Sequence, residues 1–146
     1  MKKKITSIRR SVCIIANNLR KAGYTLSEAF RLAWHLVRET VCRVSGTSYG
    51  TRQKSLKRLA AYKPEELTVG LQREHGNQYD RNAIKILVRI DSLNVYAHVG
   101  YLPLKVAEQI APIIDAGVKV RAELLGVIGG YSYKENYGML IHLVVA

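Results

Sequence analysis

The chain has 146 residues, 48% of them hydrophobic and 23% charged, with a formal charge of +12. Such a length suits one compact domain or a small domain with an appendage, the apolar fraction argues against wholesale disorder, and the want of an uncharged apolar run of about 18 residues excludes a transmembrane helix. The charge is one-sided: residues 1–63 hold fifteen Lys/Arg against Glu28 and Glu39, while residues 64–146 hold eight against nine Asp/Glu. Such asymmetry points to a polyanion partner.

From the N-terminus, Ile8, Val12, Ile15 and Leu19 recur at helical spacing, so residues 7–21 are expected to form an amphipathic helix ended by Gly23. Thr25 followed by Glu28 is a capping-box signature for a second helix. Ala29, Leu32, Ala33, Leu36 and Val37 give that helix an apolar stripe, with Arg31, His35 and Arg38 opposite. Residues 1–40 therefore read as a basic helical hairpin whose outer face carries Arg9, Arg10, Arg20, Lys21, Arg31 and Arg38. No aromatic residue lies in 1–21 to anchor it at a lipid interface, so no membrane partner is expected.

The pattern then changes. Residues 41–49 look like a strand, and 53–61 like a short helix with Leu56, Leu59 and Ala60 inward. Arg52, Lys54, Lys57 and Arg58 extend the basic face across it. Strands are expected at 67–72, 83–88, 95–102 and 118–125, with a closing strand from Met139. A turn falls at Gly76-Asn77. Pro103 suits a helix start, and Val106, Ala107, Ile110, Ile113 and Ile114 form its stripe, which Pro112 would bend or shorten. The architecture expected is α+β: a small barrel of five or six strands with two short helices (residues 41–146), preceded by the hairpin (residues 1–40).

Cys13 and Cys42 fall among apolar residues and read as buried free thiols. The histidines are scattered, so no metal and no cofactor are expected. The chain shows no phosphate loop, nucleophile motif or His-Glu metal motif, and so does not read as an enzyme. Tyr131, Tyr133 and Tyr137 lie in the Gly-rich segment GGYSYKENYG, a candidate binding loop.

The segment LQREHGNQYDRNAIKI, residues 71–86, followed by Val99-Gly100-Tyr101-Leu102-Pro103 and Val106-Ala107, resembles the HIRAN family. The likeness spans roughly residues 41–146 and keeps the order and spacing of a long motif. It implies an OB-like barrel that binds nucleic acid, with single-stranded DNA or DNA 3′ ends as the favoured ligand and RNA as another. It places contacts at Tyr49, Arg73, Asn77, Tyr79, Asp80, Asn82, Lys105 and Tyr137. In that picture Asp80 accepts a hydrogen bond from a terminal 3′-hydroxyl and Tyr79 packs on a sugar or base. His75, Gln78 and Leu104 depart from the family pattern, and Leu104 stands where a basic residue often contacts phosphate. An alternative is a phage or mobile-element protein that inhibits a host nucleic-acid enzyme, such as a CRISPR effector. Either reading places it in the cytoplasm of a bacterial or phage-infected cell.

Overall fold

The computed structural model describes residues 2–38, 41–133 and 135–145, and within these the side chains from Arg9 onward except those of Arg38 and Val145. The predicted contributions of Ile8 to the apolar stripe and of Arg38 to the basic face therefore lie outside the described side chains.

Helix α1 runs Lys2–Lys21 and α2 runs Leu26–Arg38. They form because one stripe of each is apolar. Val12, Ile15, Ala16 and Leu19 of α1 and Ala29, Ala33 and Leu36 of α2 are buried, and the two helices pack against one another. The turn between them is specified locally. Gly23 adopts φ +103°, its N–H donates to Arg20 O at 3.0 Å, and Tyr24 N–H donates to Leu19 O at 3.1 Å, the pairing of a left-handed helix stop. The expected capping box is present: Thr25 N–H donates to Glu28 Oε2 at 3.1 Å and Glu28 N–H donates to Thr25 Oγ1 at 3.3 Å.

The remaining elements are β1 (Val41–Arg43), α3 (Arg52–Leu59), a 3-10 turn (Pro64–Glu66), β2 (Leu67–Arg73), β3 (Ile84–Ile90), β4 (Val95–Tyr101), α4 (Leu104–Asp115), β5 (Val120–Ile128) and β6 (Gly138–Val145). The strands form one antiparallel sheet in the order β1-β6-β5-β2-β3-β4. Alternation decides the inner face: Ile84, Ile86, Val88 and Ile90 of β3 are buried while the residues between them are half-exposed. Register slips at Ile86/Leu87 and at Leu124/Gly126 bend the sheet.

That bending brings the two edge strands together. The strand expected over 41–49 pairs with β6 only through Arg43. Val44 N–H still donates to Met139 O at 2.9 Å, but Ser45 then pairs with Tyr101 of β4 through reciprocal bonds of 2.8 and 2.9 Å. The chain leaves one edge and closes onto the other, so a single bridge completes an OB-like barrel. Gly100 permits the crossing, because a Cβ there would collide with Ser45 O and lie 2.6 Å from Val44 Cγ1.

Three further expectations are corrected. Ala60 is exposed rather than inward, since α3 ends at Leu59. Pro112 does not cut α4 short at its own position, since the helix continues to Asp115; the proline removes only its own N–H bond to the carbonyl four residues earlier. Cys13 is exposed and Cys42 half-buried, both as free thiols. Cys13 follows Val12 by one residue, a rotation of about 100° off the buried stripe, while burial pushes the Cys42 thiol up to about 11.

The hairpin packs against the barrel. One cluster of buried hydrophobics runs from Val12, Ile15 and Leu36 into Ile84, Ile110 and Ile141. His35, expected on the outer face of α2, instead meets Gln109 of α4 through Nε2 at 2.7 Å from Oε1.

Candidate functional site

The loop between β2 and β3 is organised by its own polar side chains. Asn77 Oδ1 accepts the N–H groups of Tyr79 and Asp80, each at 2.9 Å, and Asn77 Nδ2 donates to Glu74 Oε2 at 3.1 Å. Asp80 Oδ1 accepts the N–H of Asn82 at 2.9 Å. These are the backbone-mimicking bonds that make Asn and Asp turn residues. Across the loop base, Arg73 Nη1 donates to Ala83 O at 2.8 Å, and Nη2 to Arg81 O at 3.2 Å. The same guanidinium donates to both carboxylate oxygens of Asp115, at 3.0 and 3.1 Å. This fork ties the loop to the last turn of α4. The bound guanidinium holds the Asp115 carboxyl below its ordinary range.

The result is a loop braced by its own hydrogen bonds that presents one exposed aromatic. Tyr79 is 97% exposed. An apolar ring held in water by a locked backbone gains nothing for the fold. Asp80 and Asn82 sit half-buried beside it.

A second constellation adjoins the first. The Tyr101 hydroxyl donates to Glu74 Oε2 at 2.7 Å, and Lys85 Nζ lies 3.5 Å from Glu74 Oε1. The Tyr101 hydroxyl, and after it the Asn77 amide, hold the Glu74 carboxyl below its ordinary range, while donation to Glu74 raises the Tyr101 phenol. Above Tyr101 lies Arg52, its guanidinium 5.3 Å from that ring centre and 5.7 Å from the Tyr49 ring centre. Arg52 Nη1 also donates to Gly46 O at 2.7 Å. His98 meets Tyr101 edge-to-face at 5.1 Å. Burial, then the charge of Arg52, lowers the His98 pKa.

The structure thus brings Arg73, Asn77, Tyr79, Asp80 and Asn82 into one loop. It sets Tyr49 (70% exposed) across from them, linked through Arg52, Tyr101 and Glu74. Lys105 is exposed in the first turn of α4, roughly 15 Å along the axis from Asp115 by helical rise. Tyr137 is half-buried against the core. Its N–H and carbonyl are both held by the Gln53 amide, at 2.8 and 2.9 Å. Gln53 also donates to Thr47 O at 2.9 Å, pinning α3 to the barrel mouth. Of the predicted basic face, Arg9, Arg10, Arg20, Lys21, Arg31, Lys54, Lys57 and Arg58 are exposed, whereas Arg52 is half-buried in the contacts described.

Tyr101 and Gln53 were not among the residues the sequence singled out as contacts. Tyr101 stands inside the Gly-Tyr-Leu-Pro motif and was legible only as a marker of it. Nothing distinguishes Gln53 from any polar residue of a basic helix. Among the described residues no group of three or more His, Cys, Asp or Glu is placed to hold a metal ion.

No curated protein matches the chain. Two solved structures are similar to it. A protein from Lactobacillus plantarum shares 25% identity over 71% of this chain and 91% of its own, with a TM-score of 0.48. The HIRAN domain of human HLTF shares 25% identity over 71% of this chain and 73% of its own, with a TM-score of 0.46. The family model of the HIRAN domain matches residues 37–135. That match spans more than half of the sequence and holds both the Tyr79 loop and the Arg52–Tyr101 cluster, and the chain belongs to the HIRAN domain family.

Proposed function

We propose that this protein is a non-catalytic nucleic-acid binding module that holds a single strand at its 3′ end. The observation that carries the reading is Tyr79, a nearly fully exposed aromatic at the tip of a loop locked by Asn77, Asp80 and Arg73. Preorganisation of this kind lowers the ordering cost of binding. Stacking on an aromatic face accepts any base. Asp80 uses Oδ1 within the loop, which leaves Oδ2 to accept from a terminal hydroxyl. A carboxylate beside phosphates is otherwise repelled, so its presence favours an end over a continuous strand.

On this reading Tyr79 and Asp80 touch the ligand. Asn77 and Arg73 position them. Lys105 and the exposed arginines and lysines of α1 to α3 supply long-range attraction. The family match starts at residue 37, which supports treating 1–40 as an appended basic element that widens the electrostatic footprint of the 41–146 barrel.

The test is fluorescence anisotropy with labelled single strands. Tyr79→Ala is expected to weaken binding by about 1–3 kcal/mol, the contribution of one stacked base, with the melting temperature unchanged. Wild-type affinity in a folded Tyr79→Ala protein refutes the assignment.

A further inference from the structure

A cleft of about 490 Å3 opens between α3 and β4, and two of its lining residues, Arg52 and His98, also contact Tyr101. It is lined by Tyr49, Arg58, Tyr96 and His98, among others, and none of its lining residues is acidic. Tyr49 and Tyr96 are 70% and 60% exposed. Neither spends its ring on the core. Tyr96 has an Arg89 guanidinium 6.0 Å from its ring centre, and Arg89 is itself paired with Asp91 at 3.0 Å. Arg58 is exposed at the cleft wall. Volume, aromatic faces and unopposed positive charge together match one ligand class. A space of this size admits about one nucleotide. Exposed tyrosines beside arginine are the elements of single-strand binding.

We infer that the α3–β4 cleft is a second station for an unpaired nucleotide, with Tyr96 and Tyr49 as stacking faces and Arg58 as the phosphate contact. Arg52 forms the wall it shares with the Tyr101–Glu74 cluster. The inference rests on reading the chain as a single-strand binder, but not on the Tyr79 loop being the end pocket.

The experiment compares Tyr96→Ala, Arg58→Ala and Tyr79→Ala in the full chain. Each is titrated against a labelled single strand of about ten nucleotides, within the site sizes of single-strand barrels. Tyr96→Ala is expected to bind roughly 5- to 150-fold more weakly, the ratio equivalent to one lost stack. Arg58→Ala is expected to reduce the slope of log affinity against log salt by about 0.7, one phosphate contact on a single strand. A strand carrying photoreactive 5-iodouracil, cross-linked and mapped by peptide mass, is expected to mark Tyr96 or Tyr49. Wild-type binding and slope for both cleft variants, with loss only at Tyr79→Ala, overturns the second station and leaves the end reading intact. Loss at Tyr96→Ala with none at Tyr79→Ala keeps the cleft and removes the end pocket. Wild-type behaviour of all three variants overturns both.

Discussion

Arg73 separates two roles that a basic residue in a nucleic-acid binding loop can have. Its donors go to Ala83 O, Arg81 O and both oxygens of Asp115, and its side chain is 9% exposed. Arg73→Ala removes all of these. Two bonds from a charged donor to carbonyls are worth about 1.5–3 kcal/mol each when buried. Loop carbonyls regain water when the donor leaves, so the lower end applies. The bidentate pair adds less than about 1 kcal/mol, because Asp115 is 42% exposed. The expected loss is about 3 kcal/mol, or roughly 6–12 °C in melting temperature for a chain of this size. Affinity for single strands is expected to fall too, because the Tyr79 loop loosens. The slope of log affinity against log salt is expected to stay constant, since no phosphate contact is lost. Thermal melts and salt titrations of Arg73→Ala check both. A slope reduced by about 0.7 with an unchanged melting temperature would make Arg73 a phosphate ligand and refute the clamp.

Other consequences are open to measurement. Gly100→Ala is expected to destabilise the barrel by about 2 kcal/mol or more in urea denaturation, because the new Cβ drives Ser45 and Val44 off β4. Thr25→Ala is expected to cost about 1 kcal/mol through loss of the capping box, with nucleic-acid binding unaffected. Glu74 and Asp115 both have folded-state pKa values depressed below their ordinary values of 4.5 and 3.8. Their contribution to stability is therefore full above those values and is lost as pH falls through the depressed ones. Melting temperature followed from pH 7 downward is expected to show that loss in wild type and a weaker dependence in Glu74→Gln.

Much of the scaffold was legible because its signals are local. The apolar stripe ending at Leu19, the glycine stop at Gly23 and the Thr25–Glu28 box each fix a helix boundary from a few adjacent residues. The run 83–88 does the same for the start of a central strand, which continues to Ile90. The misread places are those decided at long range. The run 41–49 looks like one strand, but Ser45 alone bridges to Tyr101, more than fifty residues away in sequence, and residues 47–49 then turn. His35 lies opposite the helix stripe, yet Gln109 of another helix claims it. Within the site, spacing alone identified the Tyr79 loop as a turn, and the family likeness marked it as a site. It could not show that the Arg73 fork closes the loop base, since that depends on Asp115. The cleft was illegible for the same reason: Arg58 and Tyr96 meet only when α3 docks beside β4.

If the barrel holds a strand end through Tyr79 and Asp80, as proposed, it discriminates between chemically different ends. The most direct test compares matched single strands ending in a 3′-hydroxyl or a 3′-phosphate, in wild type and in Asp80→Asn. Wild type is expected to bind the free 3′-hydroxyl more tightly, with a smaller preference in Asp80→Asn, which loses the charged acceptor and gains a donor. Equal, salt-sensitive affinity for both strands, unchanged by Asp80→Asn, would contradict it and move binding to the basic surface of α1 to α3.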